Sequence, residues 1–386
     1  MRWFSASRDS LRTPSHLAPR RRRAPIVEDL EGRRLLSQAV QAIASFTGII
    51  NATKMVSGPG GDLWVGINQA PNSAAIDRIG LDGSVTSFRV PVSASDGTVS
   101  VGSLAVGPDG NVWFDAMMGP NGNDQQVVIG KVTPSGVVTE YPPIPTAPGL
   151  TSTATAIVSG PGGDLYFGEA VFTLSAVQPQ SQIFIGKVTT DGAVTLLPAS
   201  TFGPQSPTLV NTLVAGSDGN LWFTVFGKGQ NSDFYRISPS GTVSTFPLRR
   251  KLMSSMVSNA PDGSLIVTGT TLRKTVILRV STSGSARNIP IRGALRHSFL
   301  FDVGQARGAS FFSDATTGPT RIVRLSPGGA AMSAKLTGLP PTHLNDVRSI
   351  VTGPDGNLYL LNQDYLGRTP AAAVYRLAPS RLSAVG

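Results

Sequence analysis

Apolar and polar positions alternate in short runs along most of this chain, and each run is closed by Gly, Pro, Asp or Ser. A two-residue period bounded by turn formers predicts half-buried strands. No segment keeps a 3.6-residue apolar period, so few helices are expected. One arrangement of turn and strand recurs seven times. Its clearest copies are Gly107-Pro108-Asp109-Gly110-Asn111-Val112-Trp113-Phe114 and Gly353-Pro354-Asp355-Gly356-Asn357-Leu358-Tyr359-Leu360. Gly58 to Val65, Gly160 to Phe167 and Gly216 to Phe223 follow it closely, while Ala260 to Val267 and Gln305 to Phe312 are degraded. The anchor after each turn is Trp64, Trp113, Tyr166, Trp222, Ile266, Phe311 and Tyr359, giving steps of 49, 53, 56, 44, 45 and 48 residues. Strand-rich repeats of that length predict an all-β, seven-bladed β-propeller.

A second phrase completes each repeat. An apolar strand ends in a Pro-Ser-Gly-like turn, as in Ile129-Gly130-Lys131-Val132-Thr133-Pro134-Ser135-Gly136 and Tyr235-Arg236-Ile237-Ser238-Pro239-Ser240-Gly241. Another strand follows, such as Val137 to Pro142 or Thr242 to Pro247. In Pro-Asp-Gly the proline presets φ, the aspartate bonds its own backbone, and the glycine supplies the positive φ of a three-residue hairpin with a bulge. Two hairpin turns per repeat make four antiparallel strands per blade.

Composition adds a boundary. The 386 residues include 43 Gly and 29 Pro, a turn density suited to many short strands, and no Cys, which excludes disulfides and thiolate chemistry. No apolar run is long enough to predict a transmembrane helix. Residues 37–386 read as one propeller domain and residues 1–36 as a separate basic segment without regular structure. Ala39 to Phe46 reads as the strand that completes the seventh blade and ties the two ends together. In the alternative, Leu382 to Val385 supplies the outer strand.

Residues 1–36 carry nine Arg against four acids, including Arg20-Arg21-Arg22-Arg23, with no apolar stretch of signal-peptide type. Within them, Leu30, Glu31, Arg33, Leu35 and Leu36 resemble the LEPR-XLL segment of some large exported bacterial proteins, with Gly32 where that motif has Pro. That resemblance implies an exported or cell-surface protein; a chance basic stretch would leave a cytoplasmic one.

The repeat phrase Gly-Pro-Asp-Gly-Asn-Leu-Trp-Phe, followed by Ile-Gly-Lys-Val-Thr and Val-Thr-Glu-Tyr-Pro, resembles the virginiamycin B lyase (streptogramin lyase) family over about residues 52–377. The resemblance implies a seven-bladed propeller that opens a cyclic depsipeptide by magnesium-dependent elimination, using His and Glu side chains in the central funnel. The residues depart from that pattern. The family's Glu-x-His falls here on Asp346-Val347-Arg348, and a guanidinium cannot accept a proton near neutral pH. Its other His falls near Phe299, Leu300 and Phe301, with His297 two or three residues away. Asp346, Arg348 and His297 are therefore the funnel candidates, and no secure general base is present. No cofactor is expected for a binding protein; Mg would be expected for a divergent lyase.

Two further features resemble sites. The Asp-Gly-Asn turns at Asp109, Asp218 and Asp355 offer one carboxylate each, too few oxygens for calcium. The net charge of +10 is uneven: residues 249–324 hold twelve Lys or Arg against three acids, whereas 37–248 hold seven against thirteen. Arg249, Arg250, Lys251, Arg273, Lys274, Arg292 and Arg296 form the expected anion-binding patch, suited to an anionic polymer or acidic surface. No nucleic-acid motif accompanies it. Two functions follow: a non-enzymatic propeller that binds a partner, or a divergent lyase acting on a cyclic depsipeptide or related small substrate.

Overall fold

The computed structural model describes residues 37–378 except 70–71, 92–96, 120–124, 145–149, 174–180, 198–206, 228–231, 247, 249–251, 272–273, 293–299, 315–319, 328–330, 340–344 and 365–370. The basic segment 1–36 and the stretch Leu382 to Val385 lie outside it. Among the described residues, seven antiparallel sheets form the predicted propeller, and the helical pieces are two single turns, Pro59–Gly61 and Pro161–Gly163. The inner strands of blades one to seven are Ile49–Ser57, Thr98–Val106, Leu150–Ser159, Pro207–Ala215, Met253–Asn259, Leu300–Ala306 and Asn345–Thr352. Each is followed by a second strand carrying the anchor: Leu63–Gln69, Val112–Gly119, Leu165–Thr173, Leu221–Gly227, Leu265–Thr270, Ala309–Asp314 and Leu358–Asp364.

The turn between these two strands is built as its residues dictate. Gly107 N donates to Asn111 O (2.8 Å) and Gly110 N to Gly107 O (3.1 Å), with Gly110 at φ +74°. The Asp109 carboxylate accepts from Asn111 Nδ2 (2.7 Å) and from the indole Nε1 of Trp113 (2.9 Å). Asp218 repeats the bond to Trp222 Nε1 (3.1 Å), and Asp355 accepts from Tyr359 OH (2.9 Å). The turn acid thus fixes the anchor, and its oxygens are already engaged by protein donors. Blade six departs from this scheme. Arg307 (φ +49°) and Gly308 (φ +71°) form a two-residue turn between Ala306 and Ala309, so the loop is one residue shorter than Pro-Asp-Gly.

Open space surrounds Gly110 and Gly356 (φ +72°), so a side chain there meets no clash. Only the backbone preference opposes it. Replacing either glycine with Val is expected to lower stability by roughly 1–3 kcal/mol, because a β-branched residue resists positive φ. Urea melts of the two variants test this; midpoints equal to wild type in both would disprove it.

The core lies between blades. Each anchor turns toward the following blade and the next residue toward the preceding one. Trp64 packs with Val99, Val112 and Phe114 of blade two, and Trp113 with Ile157, Leu165 and Phe167 of blade three. Trp64, Trp113, Trp222 and Tyr359 are wholly buried. They are packing residues, unavailable for stacking on a ligand.

The ring is closed by strand pairing. Gln41–Thr47 pairs antiparallel with Ala371–Leu377, the third strand of blade seven, and the chain then enters the inner strand of blade one. Ser37–Ala39 lies elsewhere, parallel to Ala331–Thr337 at the outer edge of blade six. The N-terminal strands therefore bridge two neighbouring blades.

Candidate functional site

The inner strands of blades one and four carry an extra slip near their starts, and every inner strand loses register against its second strand once closer to the turn. These shared slips fall between Ala52 and Met55, Val101 and Leu104, Ala154 and Ala156, Val210 and Thr212, Met253 and Met256, Phe301 and Val303, and Val347 and Ser349. A β-bulge leaves its extra residue outside the ladder and re-aims the side chain. Seven bulges at similar depth form a ring around the axis. The central channel has a volume of about 650 Å³. It is lined by the bulge residues of five blades: Thr53 and Lys54, Gly102 and Ser103, Thr155, Asn211, and Arg348. Among the described lining residues Lys54 and Arg348 are the charged ones, and both are cations.

Of the three funnel residues expected from the sequence, Arg348 lines the channel. Asp346 lies two residues earlier on the same strand, paired with Gln363, its side chain outside the described part. His297 lies outside the described residues, while Leu300 from the same stretch reaches the channel wall. Sequence reasoning missed Lys54, Ser103, Thr155 and Asn211. Their signal was present, since each stands four or five residues ahead of its turn glycine, at Gly58, Gly107, Gly160 and Gly216, as Arg348 stands before Gly353.

Two acids are buried just behind the wall. Asp115 follows Trp113 on the face toward blade three and accepts from Ser103 N at 3.1 Å. A methyl group on Gly102 would overlap its Oδ1, so only glycine lets the wall pass that close. Burial pushes the Asp115 carboxyl up to about 7, against the pull of the Ser103 amide and the Lys54 charge. Glu169 faces back toward blade two from the second strand of blade three. Burial raises it to about 7 as well, with Ser152 only partly offsetting this. Asp115 Oδ2 and both Glu169 oxygens have no well-formed hydrogen bond, as suits carboxyls that are largely uncharged below neutral pH.

Much of the positive charge is structural. Opposite the seven anchors, on the third strands, stand Arg78, Lys131, Lys187, Arg236, Arg279, Arg324 and Arg376. Lys131 lies 4.9 Å from the Trp113 ring centroid and Arg236 lies 5.5 Å from that of Trp222. The turn acids complete the unit: Lys131 meets Asp109 at 3.2 Å, Lys187 meets Asp164 at 2.6 Å, and Arg279 meets Asp262. Arg279 is buried, so the twelve cations of residues 249–324 are not all at the surface. Within the expected anion patch, Lys274 is exposed. Arg292 lies on the short strand Ile291–Arg292 beside Ala331–Thr337, its side chain outside the described part. Arg249, Arg250, Lys251, Arg273 and Arg296 lie outside the described residues.

No family model matches the chain, and no curated protein matches it. Solved structures share its fold. It resembles the crystal structure of puromycin hydrolase at 15% identity and TM-score 0.52, over 83% of this chain and 51% of that one. The chain thus spans about half the length of that hydrolase. It also resembles the structure titled YCF48 bound to D1 peptide (12% identity, TM-score 0.55, 86% of this chain and 96% of that chain). A protein from Lactobacillus plantarum aligns at 12% identity and TM-score 0.51, over 77% and 86% of the two chains. At these identities the likeness concerns the propeller alone. Among the described residues, no helix is long and apolar enough to cross a membrane.

Proposed function

We propose that this protein is a non-enzymatic binding propeller that recognises an anionic partner. The observation that carries this reading is the pair of cations on the channel wall, Lys54 and Arg348, the charged residues among its described lining. Arg348 occupies the position at which the resemblance to virginiamycin B lyases implies a histidine. A guanidinium binds and orients an anion but cannot take up a proton near neutral pH. The basic composition of blades five and six, with Lys274 exposed, supports an anionic polymer or acidic surface as partner.

The test pairs an activity assay with a binding assay. Purified protein with magnesium is expected to leave a streptogramin B ring closed. It is expected to bind heparin with an affinity that falls steeply as salt rises, and charge reversal at Arg249, Arg250 and Lys251 should weaken that binding. Magnesium-dependent ring opening that disappears on changing Asp346 or His297 would establish the divergent lyase instead.

A further inference from the structure

The polar side chains on the channel wall fall into two groups. One group is already engaged within the wall, inside blade one or between blades four and five. Asn51 Oδ1 accepts from Asn68 Nδ2 at 2.7 Å, Thr53 donates to Gly66 O at 3.3 Å, and Asn259 Nδ2 donates to Ala215 O at 2.9 Å. Thr212 Oγ1 accepts from Val257 N at 2.8 Å. The second group stands on the bulges. Lys54 comes from blade one, Ser103 from blade two and Arg348 from blade seven, three consecutive blades, and Asn211 comes from blade four across the axis. The Nδ2 of Asn211 is buried with no hydrogen-bond partner. Two cations and a hydroxyl thus form one arc of the ring, with an unused amide donor on the opposite wall.

We propose that the arc of Arg348, Lys54 and Ser103 is a seat for a single oxyanion group, a phosphate or a carboxylate, and that Asn211 donates to the body of the ligand carrying it. The seat rests on the anionic-partner reading above and gives it a specific place. A guanidinium and an ammonium on neighbouring blades suit a compact oxyanion, the first through paired N–H donors and the second as a point charge. The channel volume of about 650 Å³ accommodates a small molecule or the end of a chain. Asp115 does not cancel the site. It lies behind Gly102 and is raised by burial, which leaves the Lys54 charge directed to the channel below neutral pH.

Calorimetric titration with inorganic phosphate, pyrophosphate and glucuronate tests the seat, alongside heparin. Wild-type protein is expected to bind at least one of the three small anions. Lys54→Met and Arg348→Met should each weaken that binding by about tenfold or more, with Arg348→Lys retaining more than Arg348→Met. The variants should still fold cooperatively, since Lys54 is half-buried and Arg348 exposed. Lys274→Glu should lower heparin affinity without affecting the small anions. Equal small-anion affinity in wild type and both Met variants would overturn the seat. So would heparin binding by a protein that takes none of the small anions, which leaves the broader reading standing. A folded wild type that binds neither class would overturn both. Competition of pyrophosphate with heparin would identify a chain end as the natural occupant, and its absence a free small anion; either result supports the seat.

Discussion

Trp113→Ala is expected to destabilise the propeller by roughly 3–5 kcal/mol, the range for removing a large aromatic from a packed core. Trp113 is wholly buried, stacks on Tyr141 at a centroid separation of 5.5 Å, and packs against Phe167 of the next blade. Its loss would leave a cavity between two blades and remove the indole donor to Asp109, whose other partners include Lys131. The damage should extend beyond one contact, because turn acid, anchor and third-strand cation form one unit. Blade five shows what a smaller anchor allows: Ile266 fills the equivalent place with no indole to hold. Trp113→Ile should therefore cost less than Trp113→Ala. Chemical denaturation of the two variants decides the matter, and a loss below about 1 kcal/mol for the Ala variant contradicts the packing argument.

A second large effect concerns pH. Burial lifts both Asp115 and Glu169 to about 7 in the folded protein, whereas in the unfolded chain they titrate near the ordinary carboxylate range. Between those limits the folded state holds more protons than the unfolded one, so stability falls as pH rises from about 4 to about 7. Each group contributes up to roughly 4 kcal/mol to that fall, and less if the site relaxes or admits water. The turn acids act in the opposite direction at lower pH. For Asp109, Asp218, Asp262 and Asp355 burial alone would raise the carboxyl, but hydrogen bonds from Trp113, Asn220, Ser264 and Asn357 among others outweigh it and hold each below its usual value. Their stabilisation is present above the unfolded value and is lost as acid protonates them. Maximum stability is therefore expected in mildly acidic solution. Asp115→Asn with Glu169→Gln should flatten the profile between about pH 4 and 7 and raise the melting temperature at pH 8. A double variant whose profile parallels wild type would show that these carboxyls are hydrated in the fold.

The blade count and the turns were legible because both rest on local chemistry. Pro-Asp-Gly encodes its own hairpin, and the aromatic that follows marks the same place in each blade whether it is Trp113 or Tyr359. The structure adds a rule that the phrase Ile-Gly-Lys-Val contained unnoticed, a cation followed by an aliphatic residue opposite each anchor. That pairing is visible only once the second and third strands are in register, Trp113 against Lys131 and Trp222 against Arg236. It also changes the meaning of the charge, since Arg279 belongs to the scaffold and not to a binding face. The channel was less legible. Bulges break the two-residue alternation by a single residue, and nothing in Asn211 or Lys54 alone distinguishes a bulged position from an ordinary polar one. Their constant distance from the turn glycine becomes informative only when the seven repeats are stacked. Blade six resisted alignment for a physical reason, because Arg307 and Gly308 make a shorter turn and shift the count of everything before it.

The closing strand has a kinetic consequence. Arg376 hydrogen-bonds Gln41 across 335 residues of chain, while most other strand pairs join neighbours in sequence. At synthesis rates of roughly 5–20 residues per second, the first strand emerges on the order of tens of seconds before its partner exists. Chain length adds little thermodynamic penalty, since loop-closure entropy grows only logarithmically. The exposure interval is the hazard, and the strand is suited to it. Of Gln41–Thr47 only Ala44 is buried in the finished ring, with Ile43 and Phe46 partly so, so the waiting segment offers neighbours only a short apolar surface to seize. The nascent protein can thus hold its closing strand in solution until the last blade arrives to receive it.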